Sequence, residues 1–425
     1  MSIMARTRDT ATPVGVDGGG EFVVAGVDTH ADTHHVAVID QRGRHLDDAE
    51  FPATAAGYTQ IGMFLTGFGA VTAVGVEGTG SYGAELARRL SQAGLRVVEV
   101  TCSNRAERRL RGKSDPLDAY AAARAVLSEQ ASAVPKSRDG AVEAIRVLRV
   151  ARGSAIKART AGINQIKAVL VTAEDEVRAR YRGLSVTRML AVMGRARPAG
   201  SLDGPQYATV LTLKILAGRC RALTAEVAQL DGHLDRLTDQ CAPGLKAVHG
   251  VGTETAGQLL ITAGDNPHRI GTEAQFAALV GVAPIPASSG KTRRHRLSRG
   301  GDRAGNAAIH RIVLVRMGKD QRTRDYVTRR TAQGLSTKEI MRCLKRFVAR
   351  EIFHHLTHPT PPPRFDDLRP ARLATGYTLT AAARELGTGP AQLSRLERGL
   401  SRNPDLATRY RQWLHDRLPV TSVAA

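Results

Sequence analysis

Four cysteines in 425 residues, none in a CxxC spacing, give no basis for a zinc site or a disulfide framework. Cys102, Cys220, Cys241 and Cys343 therefore read as isolated thiols in a reduced setting. Aromatic residues are also scarce, at 4%, although a hydrophobic fraction of 42% is ample for ordinary cores. No apolar run approaches the roughly 20 residues of a membrane-spanning helix. Residues 1–21 lack the apolar segment of a secretory signal and read as a flexible, Gly-rich lead-in. Acids are in deficit as well: 40 Asp and Glu face 61 Lys and Arg, a formal charge of +21. A cytoplasmic chain with that much self-repulsion and no membrane segment is expected to neutralise itself on a polyanion, namely nucleic acid. The length predicts roughly two to four domains.

What is present begins with Phe22-Val-Val-Ala-Gly-Val-Asp28-Thr-His-Ala-Asp-Thr-His-His-Val-Ala-Val-Ile39, two β-branched stretches around a polar turn, which predicts a hairpin of buried strands. Asp28 falls where the first strand ends, either as a turn residue or as a metal ligand on a rigid strand. A third strand is expected near 47–51, a helix over 53–64, and a strand over 70–76 that ends at Glu77. The loop Gly78-Thr-Gly-Ser-Tyr-Gly83 lacks both GxxxxGK[ST] and GxGxxG, so its glycines are expected to turn the backbone beside Glu77 and not to cradle phosphate. A helix over 84–93 and a strand over 95–100 follow. Three strands followed by strands alternating with helices is the order of a ribonuclease H-like α/β fold. Asp28 and Glu77 then lie at carboxyl ends of strands, where open α/β sheets hold their ligands.

A basic stretch with Arg105, Arg108, Arg109, Arg111 and Lys113 leads into Ser114-Asp115-Pro116-Leu-Asp118, which opens a helix. Asp115 suits an N-cap, and Asp118 suits the positive helix end. Equally, residues three apart share a helix face, so both carboxylates can aim at one cation. Residues 140–170 read as one long helix with an Ile156, Ile163, Ile166, Leu170 stripe. A second long helix has Leu216, Leu223, Leu230 and Leu237 at seven-residue spacing. Cys220, Val227, Leu234 and Cys241 lie four residues after each, which predicts a coiled-coil seam within a hairpin or between subunits.

The stretch 245–260, with Gly250-Val-Gly252 at its turn, resembles a helix-hairpin-helix whose amides bind phosphate; a plain helix-turn-helix packing unit is the alternative. Ser288-Ser289-Gly290 precedes a basic run that includes Lys291, Arg293, Arg294, Arg296 and Arg299. The Pro-rich stretch 359–364 predicts a stiff linker. Beyond it, 378–399 has the layout of a DNA-binding helix-turn-helix.

Taken together, Gly26-Val-Asp28-Thr-His, Val76-Glu77-Gly-Thr-Gly and Lys113-Ser-Asp115-Pro-Leu-Asp118-Ala resemble the Asp-Glu-Asp-Asp set of IS110/IS116/IS902-family transposases, and Gly250-Val-Gly252 with the 281–291 stretch resembles that family's second conserved region. The resemblance covers roughly residues 22–356. It implies a RuvC-like domain over 22–140, a coiled-coil linker over 141–243 and a mostly helical transposase domain over 244–356. It also implies Asp28, Glu77, Asp115 and Asp118 as ligands of Mg²⁺ or Mn²⁺, and Ser289 as the nucleophile, with Ser288 its neighbour and competitor. The partners implied are donor and target DNA, an element-encoded guide (bridge) RNA, and further copies of the chain as a dimer or tetramer, on the bacterial nucleoid. A linker over 357–375 and a helix-turn-helix over 376–416 complete the expected architecture; the core family does not need that tail.

Three rivals stand beside this reading. A RuvC-type junction nuclease would use water as its nucleophile and leave Ser289 without a purpose. A non-enzymatic helix-turn-helix regulator explains the charge but not four ordered acids. A sugar-kinase or actin-like ATPase shares the opening hairpin but needs a nucleotide loop that the chain lacks.

Overall fold

The β-branched runs at the start of the chain form the middle of a sheet, because Val and Ile pack well on a pleated surface that is covered on both sides. The computed structural model describes residues 21–101, 114–289, 295–296, 298, 300–359, 361, 365–399 and 403–417. The chain divides into two units, residues 1–138 and 139–425.

In the first unit, β1 (Phe22–Thr29), β2 (Thr33–Asp40) and β3 (His45–Pro52) form an antiparallel meander. Helix α1 (Ala55–Thr66), β4 (Ala70–Glu77), α2 (Ala84–Gln92), β5 (Val97–Val100) and α3 (Asp115–Leu127) follow. The sheet order is β3-β2-β1-β4-β5, with β4 parallel to both β1 and β5. Strand alternation sorts the core into two layers. Val23, Ala25 and Val27 pack with Ile61 and Leu65 of α1 and Leu86 and Leu90 of α2. Val24 and Ala73 pack with Ala119, Ala122, Ala123 and Val126 of α3.

Two glycines let α3 come that close. A Cβ on Gly26 would lie 2.1 Å from the Ala119 carbonyl oxygen, and one on Gly75 would lie 2.9 Å from that of Ala122. Gly26 and Gly75 are register partners on β1 and β4, so they form one shallow trough under the helix. The alanines of α3 fill it, and the helix's first turn is carried to the carboxyl ends of both strands.

The second unit is helical. α4 (Ala141–Thr172) and α7 (Pro205–Cys241) pair along their length, with α5 (Asp175–Ala179) and α6 (Val186–Arg195) between them in the chain. They run antiparallel: Arg152 meets Asp231, while Arg159, farther along α4, accepts from the earlier Cys220 through its carbonyl. The heptad pairing is therefore made within one hairpin. Its most buried track is Leu213, Cys220, Val227 and Leu234, while Leu216, Leu223, Leu230 and Leu237 are half-buried. Cys220, Cys241 and Cys343 are free thiols, and burial pushes the Cys220 and Cys241 thiols up. The first amides of α4 are capped from afar: Asp265 accepts from Val142 N at 2.7 Å and Glu143 N at 3.1 Å.

α8 (Thr253–Ala263), α9 (Glu273–Leu279), the short hairpin β6 (Ile285–Pro286) and β7 (His295–Arg296), α10 (Arg303–Lys319), α11 (Gln321–Ala332) and α12 (Thr337–Thr357) come next. Their core includes Val142 and Ile145 of α4 and Leu234 of α7, so the ends of the long hairpin belong to the same packed body. A separate core around Leu393, Leu396, Tyr410 and Trp413 joins α13 (Leu368–Ala374), α14 (Leu379–Glu385), α15 (Pro390–Glu397) and α16 (Pro404–His415). Residues 357–375, expected as linker, thus contain a helix whose Leu368 is fully buried in that core. No helix among the described residues is long and apolar enough to cross a membrane.

Candidate functional site

Alternation sets the direction of the acids on the sheet. Gly26 and Gly75 face α3, so Asp28 and Glu77, each two residues on, face the same side. Register pairs Val27 with Val76, which makes Asp28 and Glu77 neighbours at adjacent strand ends. Thr29 ties those ends together by donating its hydroxyl to the Glu77 carbonyl at 2.9 Å. The Gly78–Gly83 loop turns as expected: Gly78 has φ +66°, and a Cβ on Gly83 would sit 2.8 Å from the Glu77 carbonyl oxygen.

From α3, Ser114 and not Asp115 is the N-cap residue, so Asp115 opens the helix itself and its carboxylate is not spent on capping amides. It reaches His30 instead. His30 Nε2 lies 3.1 Å from Asp28 Oδ2 and 3.3 Å from Asp115 Oδ1. Ligand atoms of Asp28, His30 and Asp115 all fall within 4.8 Å of one another. Asp118, one turn farther into α3, is buried, as is Asp28. The sequence-predicted acids are thus carried by the ends of β1 and β4 and the first turn of α3, and the tight cluster joins Asp28 to Asp115. His30 was not singled out from sequence. Its only signal there was its place two residues after Asp28, in the turn that ends β1.

A polar row continues along the same face. His35, the register partner of Asp28, contacts Asp48 at 2.7 Å, and Tyr120 of α3 donates to the other Asp48 oxygen at 2.9 Å. Burial works to raise the Asp48 pKa, but the hydrogen bonds from His35 and Tyr120 outweigh it and hold the carboxyl below its usual range. Burial first, and then Asp48, push the Tyr120 phenol up to about 12. His45 stacks on the Tyr120 ring with centroids 3.6 Å apart.

In the second unit, Ser288 and Ser289 are both exposed between β6 and β7, and Arg296 is exposed on β7. Lys291, Arg293, Arg294 and Arg299, like Arg105, Arg108, Arg109, Arg111 and Lys113, lie outside the described residues. The helix-hairpin-helix expectation needs correction. Only a single 3₁₀ turn, Leu245–Ala247, precedes Gly250. Gly250 has φ +85° and packs against Ile312, and the Gly252 amide donates to the Thr255 hydroxyl at 3.0 Å. Glu254 in the first turn of α8 is paired with Arg149 and Arg152. Packing and a left-handed backbone thus account for Gly250, while Gly252 serves as the N-cap of α8, where a Cβ would meet nothing within 4 Å.

Comparison with known proteins meets these features in the same order. A family model of the DEDD class of IS110, described as "Transposase", matches residues 25–173. Another, described as "Transposase IS116/IS110/IS902 family", matches residues 242–328, and a helix-turn-helix model matches residues 368–408. The chain is 30% identical over 153 residues to the "Insertion element IS110 uncharacterized 43.6 kDa protein" of Streptomyces coelicolor, a match covering 35% of this chain and 36% of that protein. The aligned part thus spans about a third of the curated relative. The first transposase match takes in β1 to α3 with all four acids, and the second takes in Ser288 and Ser289. With both halves of the pattern matched in sequence order, the chain belongs to the IS110 family of transposases.

Proposed function

We propose that the chain is a DNA recombinase that cuts and rejoins strands between donor and target DNA, with a divalent cation held by Asp28, Glu77, Asp115 and Asp118 and with Ser289 as nucleophile. The observation that carries the reading is the convergence of Asp28 and Asp115, from distant parts of the sequence, to within 4.8 Å around His30. The sheet order β3-β2-β1-β4-β5, with acids at the ends of its central strands, supports a ribonuclease H-like, RuvC-type domain.

The donors suit the cation. Carboxylate oxygens are the ligands of Mg²⁺ and Mn²⁺, and a neighbouring imidazole nitrogen is tolerated better by Mn²⁺. A cation held by these residues would supply Lewis-acid chemistry, polarising a phosphodiester and stabilising the leaving oxygen. The residues of the chain supply the rest. The two buried acids, Asp28 and Asp118, are fixed on rigid elements, so the site is organised before substrate arrives. Ser289 Oγ forms a bond to phosphorus as the strand's own P–O bond breaks, and the leaving hydroxyl takes up the proton. The phosphoserine ester conserves the bond energy, so a new strand hydroxyl can displace the serine without a nucleotide cofactor. The helix-turn-helix supplies DNA contact, with Gln392 and Arg395 exposed on its second helix, α15. A structured RNA encoded by the element selects the sites by base pairing.

The test is a denaturing gel of protein incubated with labelled donor DNA and the flanking element RNA. Wild type and Ser288→Ala give a covalent protein–DNA band, and Ser289→Ala gives none. An adduct that persists in Ser289→Ala rules out this nucleophile. Free cut ends with no adduct in any variant would favour the junction-nuclease alternative.

A further inference from the structure

We infer that a cavity beside the Gly281–Pro284 turn, walled by α11 and α12, is a binding site for one unstacked nucleotide: Arg342 and Lys345 take its phosphate, and the Phe347–Tyr326 pair takes its base. The inference rests on the reading of the chain as one that acts on nucleic acid, and it does not depend on the serine chemistry.

The cavity has a volume of about 1070 Å³ and is lined by Arg296, Arg330, Arg342 and Lys345. None of these four makes an ion pair among the described residues. The remaining arginine of the lining, Arg346, is paired with Glu273. Among the described residues of the lining the only acid is Glu339, which caps α12 by accepting from Ser336 N at 2.9 Å and Ser336 Oγ at 2.6 Å. The wall therefore carries four cations without an ion pair among the described residues against one carboxylate that is engaged in capping, and it stays net cationic.

Lys345 is held in place. Its ammonium donates to Asn306 Oδ1 at 2.8 Å, while the Asn306 amide donates to the carbonyls of Val280 at 2.8 Å and Gly281 at 3.2 Å. Burial pushes the Lys345 pKa down, so an anion that arrives there recovers the charge's lost solvation.

The apolar part is equally specific. Phe347 is 51% exposed, and its ring meets Tyr326 edge-on with centroids 5.9 Å apart. Tyr326 in turn carries the Arg329 guanidinium 5.4 Å from its centroid and that of Arg330 at 6.0 Å. The open Phe347 ring is a stacking platform of the kind that single-stranded nucleic acid uses, because every base has a π-face. A duplex buries its base faces and offers only phosphates, so the combination of fixed cations and an open ring fits an unstacked nucleotide.

Charge balance separates this cavity from its neighbour. A second cavity of about 1220 Å³ on the other side of the same aromatic pair has Asp320, Asp325, Glu351 and Asp405 in its lining against Arg316, Arg322 and Arg329. An anion gains little there.

The test measures equilibrium binding of the full chain to a short labelled oligonucleotide as single-stranded DNA, single-stranded RNA and duplex DNA. Phe347→Ala should weaken single-strand binding about 5- to 150-fold, leave duplex binding within about twofold, and be rescued by Phe347→Trp. Whichever of the DNA and RNA strands loses affinity identifies the source of the nucleotide. Arg342→Ala should lower the salt dependence of single-strand binding by about one phosphate contact. Ser289→Ala should bind all three like wild type, so a failure of the serine mechanism leaves this measurement intact. Unchanged single-strand affinity in Phe347→Ala overturns the inference. So does an equal loss for single strand and duplex, which would make the surface a general phosphate patch.

Discussion

Two clusters built on carboxylates, one in each unit, are partnered in opposite ways. In the helix-turn-helix, Glu397 is saturated: Arg372 Nε and Nη2 donate to its two oxygens at 2.6 and 3.0 Å, and Tyr410 donates at 2.7 Å. The remaining Arg372 nitrogen, Nη1, donates to the Tyr377 carbonyl at 3.0 Å. At the end of β1, a single imidazole nitrogen is shared between Asp28 and Asp115. One nitrogen carries at most one proton, so the two carboxylates keep lone pairs that no donor among the described residues of this cluster meets. A saturated buried pair holds a fold together, whereas an under-satisfied pair of acids on a rigid sheet edge is suited to take up a cation.

The sharpest way to break that contrast is Glu397→Ala. It leaves the Arg372 guanidinium buried without its carboxylate, a loss of about 3–5 kcal/mol that a four-helix unit of this size does not survive. Limited proteolysis should show residues 365–417 digested in the variant and protected in wild type. An intact, protease-resistant tail would mean that the pair contributes little.

Asp28→Asn should behave in the reverse way. Thermal unfolding is expected to stay within about 1 kcal/mol of wild type, since the change relieves repulsion between acids. Mn²⁺ affinity, followed by calorimetric titration, should fall by about 100-fold or more. A large drop in melting temperature with unchanged Mn²⁺ binding would recast Asp28 as a structural residue.

The smallest effect sharpens the comparison at an intermediate case, Asp48, whose partners His35 and Tyr120 satisfy one oxygen each. Tyr120→Phe removes one hydrogen bond and should cost about 1 kcal/mol at neutral pH. The folded phenol pKa of about 12 lies above the unfolded value near 10. The stability it contributes is therefore complete below pH ~10 and lost as pH rises through ~12. Urea unfolding across that window should fall for wild type more than for Tyr120→Phe. Parallel curves would show that Tyr120 is not the titrating group.

Much of this was legible in the chain itself. Alternating β-branched runs place the strands, and the carboxyl ends of those strands place Asp28 and Glu77. Helix-start residues place Asp115 and Asp118 within one turn of each other. Gly387, with φ +64°, punctuates the helix-turn-helix where the Gly turn was expected. The misses share a cause, which is that each depends on a partner far away in sequence. The helix Leu368–Ala374 reads as part of a Pro-rich linker until Leu368 finds Leu393 and Leu396 in a common core. The heptad leucines define the stripe, but the antiparallel course of α4 decides that Leu213, Cys220, Val227 and Leu234 are its deepest track.

Sequence alone determined the order of the elements, the positions of the acids on them and the cationic character of the chain, because periodicity, capping and charge are properties of neighbouring residues. Tertiary structure decided which acids meet. Asp28 and Asp115 are 87 residues apart, and they converge because Gly26 and Gly75 lack a Cβ and admit the alanine face of α3 onto the sheet. It also decided that His30 stands between them, since its place two residues after Asp28 does not by itself single it out from the nearby His34 and His35. His34 turns inward, buried and stacked on Tyr58, and His35 turns to Asp48. Side-chain alternation on a strand assigns each residue a face, but only packing against α3 makes one of those faces a site.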